Sequence, residues 1–173
     1  MVKHRGIIIS LALVIGTLCG CGSEGSNQAL ITASDGEFSC APSEIVELIN
    51  GMVATDSGGL LSLDDYQESG ETIHTSDPLG RLSVSLEESE DGNLTSIRLY
   101  WSSASNNKTV ITSAGAYCGV LLNNIVPDRA DEISDSIGDI MSEGYGEIET
   151  ACNGVIVSYQ SLNGLNWLDI KAE

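Results

Sequence analysis

The stretch "EIETACNGVIVSYQSLNGLNWLDIKA", residues 147–172, contains Asn-Gly twice, at Asn153-Gly154 and Asn163-Gly164, each time between strand-like runs. Asn-Gly is a strong hairpin signal, because the two-residue turn that matches strand twist needs positive φ at both central positions. Val155, Val157 and Tyr159 alternate with Ile156 and Ser158, the period of a strand with one buried face. These residues predict a three-stranded antiparallel meander at the end of the chain. In its last strand Leu165 and Trp167 share one face while Leu168 and Ile170 share the other, so burial on both sides is expected.

The same period recurs upstream. Leu82, Val84 and Leu86 alternate with serines, as do Ile97, Leu99 and Trp101 with polar partners, and "EDGN" (90–93) between them supplies a turn. Three stretches instead carry helical spacing. "APSEIVELINGMVA" (41–54) has Pro42 at the first helical position and Glu44 in the first turn, with Asn50-Gly51 near its expected end. "NKTVITSAGAYCGVLLNNIVP" (107–127) places Val110, Ala114, Cys118, Leu121 and Ile125 on one stripe and stops at Pro127. A third helix is expected from Asp128, with Asp131 completing a capping box and Ile133, Ile137, Ile140 and Met141 facing inward. Between residues 55 and 80, "GGLLSLDDYQES" and "GETIHTSDPLG" each suggest a short strand. The order predicts an α+β fold, an antiparallel sheet of about five to seven strands with about three helices on one face.

The N-terminus follows a different logic. Lys3, His4 and Arg5 precede the apolar run "GIIISLALVIGTL" (6–18), which is shorter than the ~20 residues that cross a bilayer. Leu18-Cys19-Gly20-Cys21 then resembles the signal of bacterial lipoproteins, in which Leu stands three before the modified Cys and a small residue precedes it. The resemblance implies cleavage after Gly20, recognition through Leu18 and Gly20, and lipidation of Cys21. It implies residence in the cell envelope, on the outer membrane facing the periplasm in a Gram-negative cell, because Gly22 rather than Asp follows Cys21. Cys19 does not fit, since Leu18 is too large and Gly16 replaces the Leu. Residues 1–20 are thus expected as signal peptide, 21–36 as lipidated Cys and flexible tether, and 37–173 as one α+β domain.

Removing residues 1–20 takes two of the seven basic residues and none of the 25 acids, so five basic residues face 25 acidic ones. A surface this acidic excludes nucleic acid and anionic lipid as direct ligands; it favours solubility, cation attraction or a basic protein partner, and serves equally well as a solvation device alone. Cys40, Cys118 and Cys152 remain beside the lipidated one, and an oxidising envelope predicts a disulfide between two of the three, with the pairing left open. No metal site, cofactor motif or catalytic constellation is present. His74 is the one histidine beyond His4 and reads as a loop or edge-strand residue. The expected function is a non-enzymatic interaction domain held on a membrane by its lipid. One alternative is an immunity- or inhibitor-type lipoprotein that neutralises a basic toxin or hydrolase, and another is an enzyme using carboxylates or a leftover thiol.

Overall fold

The computed structural model of the protein describes residues 28–66, 72–77, 79–103 and 107–173. The expected signal peptide with Leu18 and Gly20, and the expected lipidation site Cys21, lie outside them. Among the described residues the order is β1 (Ala33–Ser34), β2 (Glu37–Phe38), α1 (Pro42–Thr55), β3 (Thr72–His74), β4 (Leu82–Glu88), β5 (Leu94–Ser102), α2 (Lys108–Ile125), α3 (Ala130–Glu143), β6 (Tyr145–Cys152), β7 (Val155–Leu162) and β8 (Leu165–Ala172). β1 and β2 form a small hairpin, and the other six strands form one antiparallel sheet in the order β3-β4-β5-β8-β7-β6. The fold is α+β, with α1 against β4, α2 against β5 and α3 against β6 and β7.

The meander forms as its turns dictate. Asn153 and Gly154 have φ of 52° and 75°, Asn163 and Gly164 of 53° and 79°, the signature of the turn that Asn-Gly favours. Pairing is unbroken from Cys152↔Val155 to Tyr145↔Leu162 and from Leu162↔Leu165 to Val155↔Ala172. Val155, Val157, Tyr159, Leu168 and Ile170 enter the core, where they meet Leu82, Val84, Leu86, Ile97, Leu99 and Trp101 from the other half of the sheet. The α2 stripe of Val110, Ala114, Tyr117, Cys118, Leu121 and Ile125 closes that core, and the Asn107 side chain caps the helix by accepting from the Val110 N–H at 3.2 Å.

Four expectations change in detail. Asn50-Gly51 does not end α1, because the Asn50 side chain is used outside the helix. Its Nδ2 donates to the Leu63 carbonyl at 3.0 Å, and its Oδ1 accepts from the Leu63 N–H at 2.8 Å. The third helix starts at Ala130, not Asp128, since the chain turns through 127–129 and Arg129 caps it without a side-chain bond. Asp131 and Glu132 still occupy its first turn, where the helix dipole favours acids. The described part of "GGLLSLDDYQES" gives a single bridge, Leu63 with Thr75, rather than a strand. β8 is buried on one side only, with Leu168 and Ile170 inside, Trp167 half-buried and Leu165 exposed. Residues 30–36 also bond to the rest of the domain. The Leu30 and Ile31 N–H groups donate to the Asn124 carbonyl at 3.0 Å, and the β1–β2 hairpin is tied to the C-terminus by Gly36 N–H donating to the Glu173 carbonyl at 2.9 Å.

The two halves of the sheet meet where β5 pairs with β8, from Ser96↔Lys171 to Ser102↔Leu165. On the core side of this seam Trp101 of β5 and Tyr159 of β7 stack across β8, with centroids 5.6 Å apart and planes 20° apart. Asn166 of β8 is only 1% exposed and ties them together. Its Oδ1 accepts from the Tyr159 hydroxyl at 2.7 Å, while its Nδ2 faces the Trp101 carbonyl and the Ser103 Oγ, both at 3.3 Å. Truncating it removes the Oδ1 that accepts from the Tyr159 hydroxyl and the Nδ2 bonds across the seam, at a site only 1% exposed. Asn166→Ala is therefore expected to lower stability by about 1–3 kcal/mol in urea unfolding, while Asn123→Ala, at an exposed position of α2, changes it by no more than about 0.5 kcal/mol. Equal effects of the two would remove the role given to Asn166.

Candidate functional site

With all three helices on one face, the other face of the six-stranded sheet carries no helix among the described residues. Its side chains are the alternate residues that the core does not take, and the strand registers place them in rows. One row runs His74, Ser83, Tyr100, Trp167, Gln160 and Glu147; the next runs Thr72, Ser85, Arg98, Asp169, Ser158 and Glu149. Across the seam Arg98 Nε donates to Asp169 Oδ1 at 2.5 Å, and the rings of Tyr100 and Trp167 stand 5.9 Å apart at 45°. A shallow trough of about 710 Å³ lies over this area, lined by Arg98, Glu147, Glu149, Ser158, Gln160, Trp167 and Asp169 among others.

At one end of the trough the face turns apolar. Leu165 pairs with Leu162, and Leu162 with Tyr145, giving three neighbouring apolar side chains that are 37%, 42% and 71% exposed. This end is opposite the one where the chain enters, since Leu30, β1 and β2 lie by Asn124, the Asn93 turn and Glu173. These three side chains are grouped on the surface rather than scattered. A tilted Tyr–Trp pair beside them adds the residue types that anchor protein interfaces.

The charges leave the face acidic. The described arginines are all engaged within the chain: Arg81 with Asp77 at 2.5 Å, Arg98 with Asp169 at 2.5 Å, and Arg129 with Glu132 at 2.7 Å. The Asp77–Arg81 pair fastens the β3–β4 turn, and the Arg81 guanidinium holds the Asp77 carboxyl down at about 2. Glu87, Glu147 and Glu149 remain on the open face with no ion pair of their own among the described residues.

The sequence-predicted residues fall elsewhere. Cys40, in the loop before α1, and Cys118, on the α2 stripe, are buried, and Cys152 ends β6 half-buried. All three are free thiols in this structure, so the expected bond between two of them is not formed here. Their surroundings differ, with Glu44 beside Cys40, and Arg129 and Glu132 beside Cys152. Burial pushes the Cys40 thiol up to about 11, helped by Glu44, and the Cys118 thiol up to about 12. Both are therefore protonated at neutral pH and poor nucleophiles. His74 is exposed on the edge strand β3, paired with Ser83. No three His, Cys, Asp or Glu side chains gather as a metal site among the described residues.

The open-face residues are what sequence reading missed, although a signal for them existed. A two-residue turn at Asn163-Gly164 sets Leu162 opposite Leu165, and hence Gln160 opposite Trp167. No family model matches this chain, and no curated protein or solved structure matches it.

The thiol assignments are open to a direct check. In the native protein at pH 8, Cys40 and Cys118 are expected to resist an alkylating maleimide and to label only after unfolding in guanidinium. Rapid native labelling of Cys118 at that pH would contradict its placement.

Proposed function

We propose that this protein is a lipid-anchored lipoprotein of the cell envelope whose domain binds another protein through the open face of its sheet. The observation that carries the reading is the face itself: Tyr100, Trp167, Leu162, Leu165 and Tyr145 stand, half-buried to exposed, on the sheet face that no helix among the described residues covers. The lipoprotein-like "LCGC" at residues 18–21 supports the anchor, and two or more acyl chains suffice for stable attachment. The chain enters the domain at the end opposite Leu162 and Leu165, so a tether from Cys21 leaves the apolar end facing away from its attachment point.

The partner this surface suits is basic. Arg98 is spent on Asp169, while Glu87, Glu147 and Glu149 form no ion pair among the described residues and outnumber Lys171 on the same face, which favours a cationic protein and speeds its encounter by electrostatic steering. Neutralisation of a basic toxin or hydrolase is the narrower form of this reading, and the same charge pattern supports it. The protonated thiols give no support to a thiol enzyme.

Two measurements test the proposal. Cys21→Ser is expected to release the protein from membranes or leave it unprocessed, and Cys19→Ser to change neither; membrane-bound, processed protein from both variants would refute the anchor. A photo-crosslinking residue at position 167 is expected to trap a partner in intact cells, while one at position 139 on the outer side of α3 traps none. Equal yields from both positions would refute the docking face.

A further inference from the structure

Of the sheet's two edges only one is blunted by length. β3 has three residues, whereas β6 has eight, Tyr145–Cys152, and nothing among the described residues pairs with its outer side. β6 also lacks the usual guards of an exposed edge, having no proline, no lysine and no bulge in its pairing with β7. Its hydrogen-bonding sides follow from the turn. In a two-residue hairpin the residues flanking the turn, Cys152 and Val155, exchange both backbone bonds, and the exchange then alternates. Cys152, Thr150 and Ile148 thus bond to β7, while the N–H and C=O groups of Glu147, Glu149 and Ala151 point outward. The side chains of those same outward-bonding residues lie on the open face.

The remaining guard is charge. In an antiparallel pairing of two β6 edges, every register that matches three or more outward residues of Tyr145, Glu147, Glu149 and Ala151 sets glutamate directly against glutamate. Like charges at that position oppose pairing, so the edge is closed to a second copy of this chain. A strand with basic residues at the same positions meets the opposite sign. Once seated, its side chains would extend the trough that Glu147, Glu149 and Trp167 already line.

We propose that the outer edge of β6 takes an extended basic segment of a partner protein as a seventh strand, with lysines or arginines opposite Glu147 and Glu149. Backbone hydrogen bonds hold the segment, and the two glutamates select it. This rests on the open face being the docking surface, and it names the chemistry of what docks there.

The test uses the processed protein and synthetic ten-residue peptides that alternate Val with Lys or Val with Glu. The lysine peptide is expected to slow hydrogen exchange of the Glu147 and Glu149 amides at least tenfold, and the glutamate peptide to leave them unchanged. A lysine peptide N-methylated on its β6-facing amides keeps its charge but loses its bonds, and is expected to bind at least tenfold more weakly. Exchanging Glu147 and Glu149 for lysine should invert the preference toward the glutamate peptide; Glu147→Gln with Glu149→Gln, a milder change, should abolish it. Equal binding of the N-methylated peptide overturns the proposal. So does protection of the outward Glu147 and Glu149 amides without any peptide, which would mean that a second copy or the chain's own N-terminal segment already covers the edge. The two readings fail separately: an edge that ignores peptides leaves crosslinking at position 167 untouched, and an uncrosslinked position 167 leaves β6 protection intact.

Discussion

The pairing of β5 with β8 is the contact on which the rest of the molecule depends. It joins residues about seventy positions apart in sequence, as in the Arg98–Asp169 bond, and it turns two separate meanders, β3-β4-β5 and β6-β7-β8, into one sheet. Loop closure over such a distance is entropically costly and must be offset by contacts made only once the strands meet. The seam supplies them on both faces. Inside, Trp101 and Tyr159 stack over β8 around the buried Asn166. Outside, Tyr100 meets Trp167 and Arg98 meets Asp169.

The outer contacts of the seam are also the centre of the face proposed to bind a partner. This links stability to function in a specific way. A sheet covered by helices on one side needs only that side to be apolar, yet the bare side here holds a Trp, two Tyr and two Leu. The apolar residues at the end of β6, β7 and β8 contribute little to the core, being 37–71% exposed. Their exposure on so acidic a chain is the observation on which the proposed docking role rests. In the proposed reading, the acids beside them select which molecule that is.

How far the sequence revealed this can be judged from individual residues. Asn153-Gly154 and Asn163-Gly164 read plainly, because two successive positive φ values leave few alternatives to a tight hairpin. The stripes of α2 and α3 were equally legible, since burial repeats every three to four residues. Asn50 was read only as a mark near the end of α1, because its amide bonds Leu63, a partner thirteen residues away that no local pattern announces. The start of α3 shifted because the turn after Val126 uses backbone bonds, such as Arg129 N–H to the Val126 carbonyl at 2.9 Å, rather than the side chain of Asp128. Trp167 was expected inside because apolar residues stand on both faces of its strand, Leu165 and Trp167 on one and Leu168 and Ile170 on the other. Periodicity gave its face correctly, but only the placement of the helices decides which face is covered.

The seam can be tested most directly by native-state hydrogen exchange across a urea series. Alternation from the Asn163-Gly164 turn makes Leu99 and Leu168 a pair that exchanges backbone bonds across β5 and β8. If the seam unifies the sheet, their amides open only with global unfolding, and amides of β4 and β7 share the same free energy. If instead the Leu99 and Leu168 amides exchange first, with β3-β4-β5 and β6-β7-β8 opening at different free energies, the two meanders are independent units and the account of a single platform built on their junction is wrong.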